Sequence, residues 1–149
     1  MKISKALGFV LPLCLVGSFA HAAFDMGKLQ SLNGRSGQGT NAYEKGNFAC
    51  TVEVSKEDNA LSIVQRDAYA STMLILGDFV EKAEQQGSAV VLQTNSSNPS
   101  KSGLCGDFMS ARGLVTVAKV SKDEVTIAMS YRCGLIPKRN IDTFTCKLK

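Results

Sequence analysis

Polar and apolar residues alternate through much of the chain after residue 47, and that alternation predicts strands. Phe48-Ala49-Cys50-Thr51-Val52-Glu53-Val54 is rich in β-formers and alternates well enough to be the first of them. Residues 88–94, with Ala89-Val90-Val91-Leu92 at their centre, read as another. Gly113–Val120 and Glu124–Tyr131 alternate on either side of Ser121-Lys122-Asp123, which predicts a hairpin. Ile141–Leu148 closes the chain as a strand. The segment 61–65 reads two ways: Leu61, Ile63 and Gln65 alternate as in a returning strand, while Ser62 and Gln65 have the spacing of a helix capping box.

Near Arg66 the period changes. Tyr69, Met73, Leu76, Val80 and Ala83 recur three or four residues apart, one face of an α-helix over about 66–86, with Gly87 as its stop. Met73-Leu74-Ile75-Leu76 is apolar all round, so the middle of that helix is expected to be covered on several sides. Its polar face carries Asp67, Asp78, Glu81 and Glu84, which a membrane-active amphipathic helix would replace by bases. These elements give an α+β expectation: a single small domain, a mostly antiparallel sheet of five or six strands packed on one main helix, and two disulfides.

Residues 23–46 show no such period. Asn33-Gly34-Arg35-Ser36-Gly37-Gln38-Gly39-Thr40 holds three glycines among polar residues, and the segment is expected to be a flexible arm before an ordered domain at 47–149. The glycine spacing matches a phosphate-cradling loop only if a strand precedes it, and residues 24–33 do not read as one. A second short pattern repeats. Val54-Ser55-Lys56-Glu57-Asp58 and Val120-Ser121-Lys122-Asp123-Glu124 share a V-S-K-acid run, explained more simply by two similar hairpin turns than by an internal duplication.

The first 22 residues have the three zones of a cleavable secretion signal. Lys2 and Lys5 make the positive start, Ala6–Val16 the apolar stretch, and Ala20-His21-Ala22 the small-residue cleavage site. The apolar stretch falls short of the ~18–20 residues of a spanning helix and contains Pro12. Cys14 follows Leu13, not the small residue a lipidation site requires. The expected destination is the bacterial periplasm or the medium, with no transmembrane span after cleavage.

Export changes the chemistry available. Five cysteines become Cys50, Cys105, Cys133 and Cys146, an even number in a short exported chain, hence disulfides. Zinc is disfavoured: no pair has C-x2-4-C spacing, and the sole histidine, His21, leaves with the signal. Spacing alone does not choose among three connectivities. The preferred pairing is Cys50–Cys146 with Cys105–Cys133, which ties the earliest strand to the last.

Without histidine, Ser-His-Asp and Cys-His nucleophile systems have no proton carrier. No lysine has a serine three residues before it, and no C-x-x-C redox pair exists. Carboxylates remain, with Asp107 and Glu53 as candidates, but a glycosidase-type pair across a cleft is not visible. No cofactor or metal is expected. The 17 basic residues fall by two against 13 acidic ones, a charge of about +2 that is too weak for a general nucleic-acid binder.

One stretch is uneven. From Arg132 onward Lys138, Arg139, Lys147 and Lys149 join it against Asp142 alone. Within it Leu135 and Ile136 stand beside Lys138 and Arg139 in a turn or loop, 134–140, and Lys101 adds a base in the Ser-rich loop 95–104. Leu135, Ile136, Arg132, Lys138, Arg139 and Lys101 are therefore the candidate contact residues. The resulting expectation is an exported, non-catalytic binding protein, of inhibitor or immunity type or an accessory of an envelope complex, whose partner is a protein of the envelope or an exported enzyme. The alternatives are a small-ligand carrier, a carboxylate-dependent hydrolase, or an envelope protein that assembles on itself through an edge strand.

Overall fold

The computed structural model describes residues 23–41, 47–65, 72–96, 104–106 and 109–149, with the backbone alone at Thr72 and Met73. The expected signal, 1–22, lies outside them. Nine strands form one antiparallel sheet: β1 (Ser36–Asn41), β2 (Phe48–Ser55), β3 (Ala60–Gln65), β4 (Thr72–Leu76), β5 (Val80–Gln86), β6 (Ala89–Ser96), β7 (Ala111–Val120), β8 (Glu124–Cys133) and β9 (Arg139–Leu148). Their order is β4-β3-β2-β1-β9-β8-β7-β6-β5. The sheet curls, bringing β4 near β7 and β8, and β3 near β9. Inner-face residues of both halves then share one core, Val52, Ile63 and Ile75 from one side and Leu92, Ile127 and Phe144 from the other.

The sheet folds over at β1, and the sequence explains why. Strands two places apart in a flat sheet lie about 9–10 Å apart. Cys50 on β2 and Cys146 on β9 nevertheless form a disulfide with their Cα atoms 6.0 Å apart, passing over β1. Gly37 pairs with Cys50 and Gly39 with Cys146, so the two positions beneath the bridge have no side chain. A Cβ at Gly37 would overlap the Lys147 carbonyl, and one at Gly39 the Phe48 ring. Two of the three glycines that resembled a phosphate loop, Gly37 and Gly39, are thus a packing device.

Two expectations are overturned. The helix over 66–86 is not formed: 72–76 is β4, Gly77–Phe79 a single 3-10 turn, and 80–86 is β5, while 66–71 lies outside the described residues. Five or six strands on a helix become one nine-stranded sheet, so the fold is β-rather than α+β. Tertiary pairing overrides local preference here. Glu81–Gln86 consists of good helix formers, yet β6 claims it as a solvent-exposed partner strand. Lys82 and Glu84, two apart on one face of β5, pair at 2.9 Å, and that ammonium draws the Glu84 carboxyl below its usual pKa. The 3-10 turn is enforced by Gly77, where a Cβ would meet the Phe24 carbonyl at 2.6 Å and the Asn59 amide at 2.7 Å.

The second correction concerns the arm. Residues 26–32 form a 3-10 helix capped by the Asp25 carboxylate, which accepts from the Gly27 N–H, and Met26, Leu29 and Leu32 are buried in the core. Asn33 accepts from the Val54 N–H at 2.8 Å, and Arg35 donates to the carbonyls of Lys122 and Lys149. Residues 36–41 are β1, in mid-sheet; 42–46 lie outside the described residues. The V-S-K-acid runs are hairpin turns: Ser55 Oγ accepts from the Asp58 N–H and Ser121 Oγ from the Glu124 N–H, at 3.0 and 3.1 Å.

Candidate functional site

The second disulfide, Cys105–Cys133, fastens the segment before β7 to the end of β8. Just beyond it the chain turns, the Ile136 N–H donating to the Cys133 carbonyl at 3.0 Å and the Gly134 N–H to the Ser110 carbonyl at 3.1 Å. Gly134 has φ +54°, the left-handed region that glycine enters without strain. The resulting tip points its aliphatic residues into solvent: Leu135 is 90% exposed, Ile136 50%, and Ile141, just inside β9, 63%. Met109 borders Gly134 and is also exposed.

The cations gather here. Arg132, Lys138 and Arg139 are all exposed at this end, whereas Lys147 lies at the opposite end of β9, paired with Glu124 at the start of β8. Lys101 and Asp107 lie outside the described residues. Asp142, the one acid of the C-terminal stretch, points inward, where it is buried and accepts the Tyr131 hydroxyl at 2.6 Å. It therefore does not neutralise the outer face.

Arg112 is the residue that sequence reading missed. Arg112 pairs with Arg132, and Arg132 with Arg139, so three arginines stand in a row across β7, β8 and β9. Neighbouring strands are about 4.8 Å apart, which makes the row about 10 Å long. The register is produced by a bulge. Val115 pairs with Ser130 but Arg112 with Arg132, leaving Gly113 and Leu114 opposite Tyr131 alone. Gly113 takes φ +56° in this bulge. Unbroken pairing would set Arg112 opposite Cys133, on the inward face, because a one-residue slip reverses every side chain. Like charges directly opposite cost roughly 0.2–1 kcal/mol per pair. Arg139 Nη1 donates to Ser130 Oγ at 2.8 Å, and the one salt bridge among the described residues is the distant Lys82–Glu84.

Other candidates gather less. Glu53 is exposed on β2 and faces Ser62 of β3. No group of three His, Cys, Asp or Glu among the described residues could hold a metal ion. An open cleft bordered by Leu74, Leu76, Phe79, Leu114 and Thr94 lies where β4 approaches β6 and β7 without pairing. No helix among the described residues is long and apolar enough to cross a membrane, which bears only on helices.

The molecule so defined is a curled antiparallel β-domain, closed by two disulfides, with an apolar and basic tip. No protein family matches the chain, and no curated protein matches it. A solved structure from Bacteroides fragilis, of a protein provisionally named as an outer membrane protein, is similar over 78% of this chain and 48% of that one, at 12% identity and a TM-score of 0.39. This chain thus spans about half of that protein's length.

Proposed function

We propose that the protein is an exported binding protein of the bacterial envelope or medium, without catalysis of its own, that docks through the tip between β8 and β9. The observation that carries this reading is the tip itself: Leu135 at 90% exposure and Ile136 at 50%, held in place by Cys105–Cys133 and ringed by Arg132, Lys138 and Arg139. Large aliphatic side chains held rigidly in water serve contact better than stability. The two disulfides support export, since such bridges persist in oxidising compartments. The cleft beside Leu74 and Phe79 favours a second reading, a carrier of a small apolar ligand, which binding of an apolar fluorescent probe would test.

Export has a direct test. N-terminal sequencing of the protein recovered from the periplasm or medium of an expressing bacterium should begin at Ala23; a chain retained in the membrane from Met1 would contradict it. For docking, the oxidised exported protein is immobilised and challenged with the envelope fraction of its own organism. Leu135→Ser with Ile136→Ser should leave the unfolding midpoint unchanged, within about 0.5 kcal/mol for exposed sites. Capture should fall about tenfold or more. Undiminished capture would remove the tip from the interface.

A further inference from the structure

We infer that the arginine row Arg112–Arg132–Arg139 and the aliphatic tip together form a site for an anionic phospholipid surface, the row taking headgroup phosphates while Leu135 and Ile136 enter the acyl boundary. The inference rests on the binding-protein reading and names the partner's chemistry.

Three features converge. The first is the row. Arginine presents a planar fork that meets phosphate oxygens in pairs, and three forks about 5 Å apart on one face suit a field of phosphates better than a single small anion. The second is the bulge at Gly113. It interrupts an otherwise regular β7–β8 ladder, and its consequence is to turn Arg112 outward beside Arg132 although that brings like charges together. A stability device would have done the reverse. The third is the shape of the tip. Leu135 is 90% exposed in the turn after β8, with exposed Lys138 and Arg139 three and four residues further on and Ile141 beside the row. That is the arrangement in which apolar residues penetrate a soft interface while cations stay at headgroup level.

A protein partner fits these features less well. Protein hot spots draw on Trp and Tyr at the centre of a desolvated patch, and residues 132–141 contain no aromatic side chain. A projecting aliphatic tip would also need a matching pocket in that partner, which a bilayer does not have to supply.

The test is flotation of the oxidised exported protein with vesicles of phosphatidylcholine alone, or of phosphatidylcholine and phosphatidylglycerol in equal parts. The protein should float with the anionic vesicles, lose binding as salt rises, and ignore the neutral ones. Combined Arg112→Gln, Arg132→Gln and Arg139→Gln should weaken binding about a hundredfold, near fivefold for each charge. Combined Lys119→Gln, Lys122→Gln and Lys147→Gln removes the same charge from the other end of these three strands and should retain most of it. Leu135→Ser with Ile136→Ser, which leaves every charge in place, should cost about tenfold. Equal losses in the two charge variants would overturn the row as a site. Absence of flotation by the unaltered protein would overturn the inference outright. If the envelope fraction still yields a protein partner through Leu135 and Ile136, the binding-protein reading stands and the row faces an acidic protein instead.

Discussion

Replacing Cys50 and Cys146 together by alanine should lower the unfolding free energy by about 4–5 kcal/mol. The bridge closes a loop of 96 residues, and releasing a loop of that size returns about 4.7 kcal/mol of chain entropy to the unfolded state at 25 °C. The whole stability of a domain this size is about 5–15 kcal/mol, so a third or more of it is at stake. Both sulfurs are sealed in the core, and the variant also leaves part of the space over Gly37 and Gly39 unfilled. The partner experiment removes Cys105 and Cys133, whose separation of 28 residues gives about 3–4 kcal/mol by the same relation. Denaturant unfolding of both variants provides the comparison. The first pair should shift the midpoint more, and the second should chiefly loosen the tip, visible as proteolysis near 104–110 before global unfolding. A larger shift for the second pair would mean that the fold is closed at the tip and not at β1.

The features legible in the sequence were those written locally. Four cysteines in a chain that reads as exported announced two disulfides, and tying the expected first strand, which is β2, to the last suggested the pairing found. The β7–β8 hairpin was visible because Ser121-Lys122-Asp123 interrupts two alternating runs. What failed depended on partners far away in the chain. β1 is Ser-Gly-Gln-Gly-Thr-Asn, with Thr40 its one strand-favouring residue, and it exists because β2 and β9 pair with it from both sides. Tyr69, Met73, Leu76, Val80 and Ala83 mimicked a helical face, but Gly77 lets the chain turn between two strands that pair with different neighbours, β3 and β6. At the tip, Arg132, Lys138, Arg139, Leu135 and Ile136 were legible because they are close in sequence. Arg112 was not, since extending the hairpin from Val120–Val125 without a bulge would have turned it inward. Its one signal was Gly113, a glycine inside a strand pattern, which often marks a bulge.

The N-terminal segment supplies the other large effect, because a flexible arm and a structural plug predict opposite outcomes. Met26 is fully buried and Leu32 nearly so, both lying against the inner face of the sheet with Val52 and Val54 in the same core. Truncating a buried Met or Leu to alanine costs about 2–5 kcal/mol, from lost transfer energy plus the cavity left behind. Met26→Ala with Leu32→Ala should therefore lower stability by about 4–8 kcal/mol, allowing that two sites on one short helix are not fully additive. Lys28→Ala is the comparison on the same helix, being exposed, with its ammonium 5.8 Å from the Phe24 ring centre, and it should change stability by about 1 kcal/mol at most. Thermal unfolding distinguishes these outcomes, and hydrogen exchange of the double variant should show β2 losing protection first because Asn33 and Gly34 hold the Val54 N–H and the Val52 carbonyl. Unchanged stability in the double variant would return residues 23–35 to the status of an arm. A large loss would make this segment the plug on which the curled sheet closes.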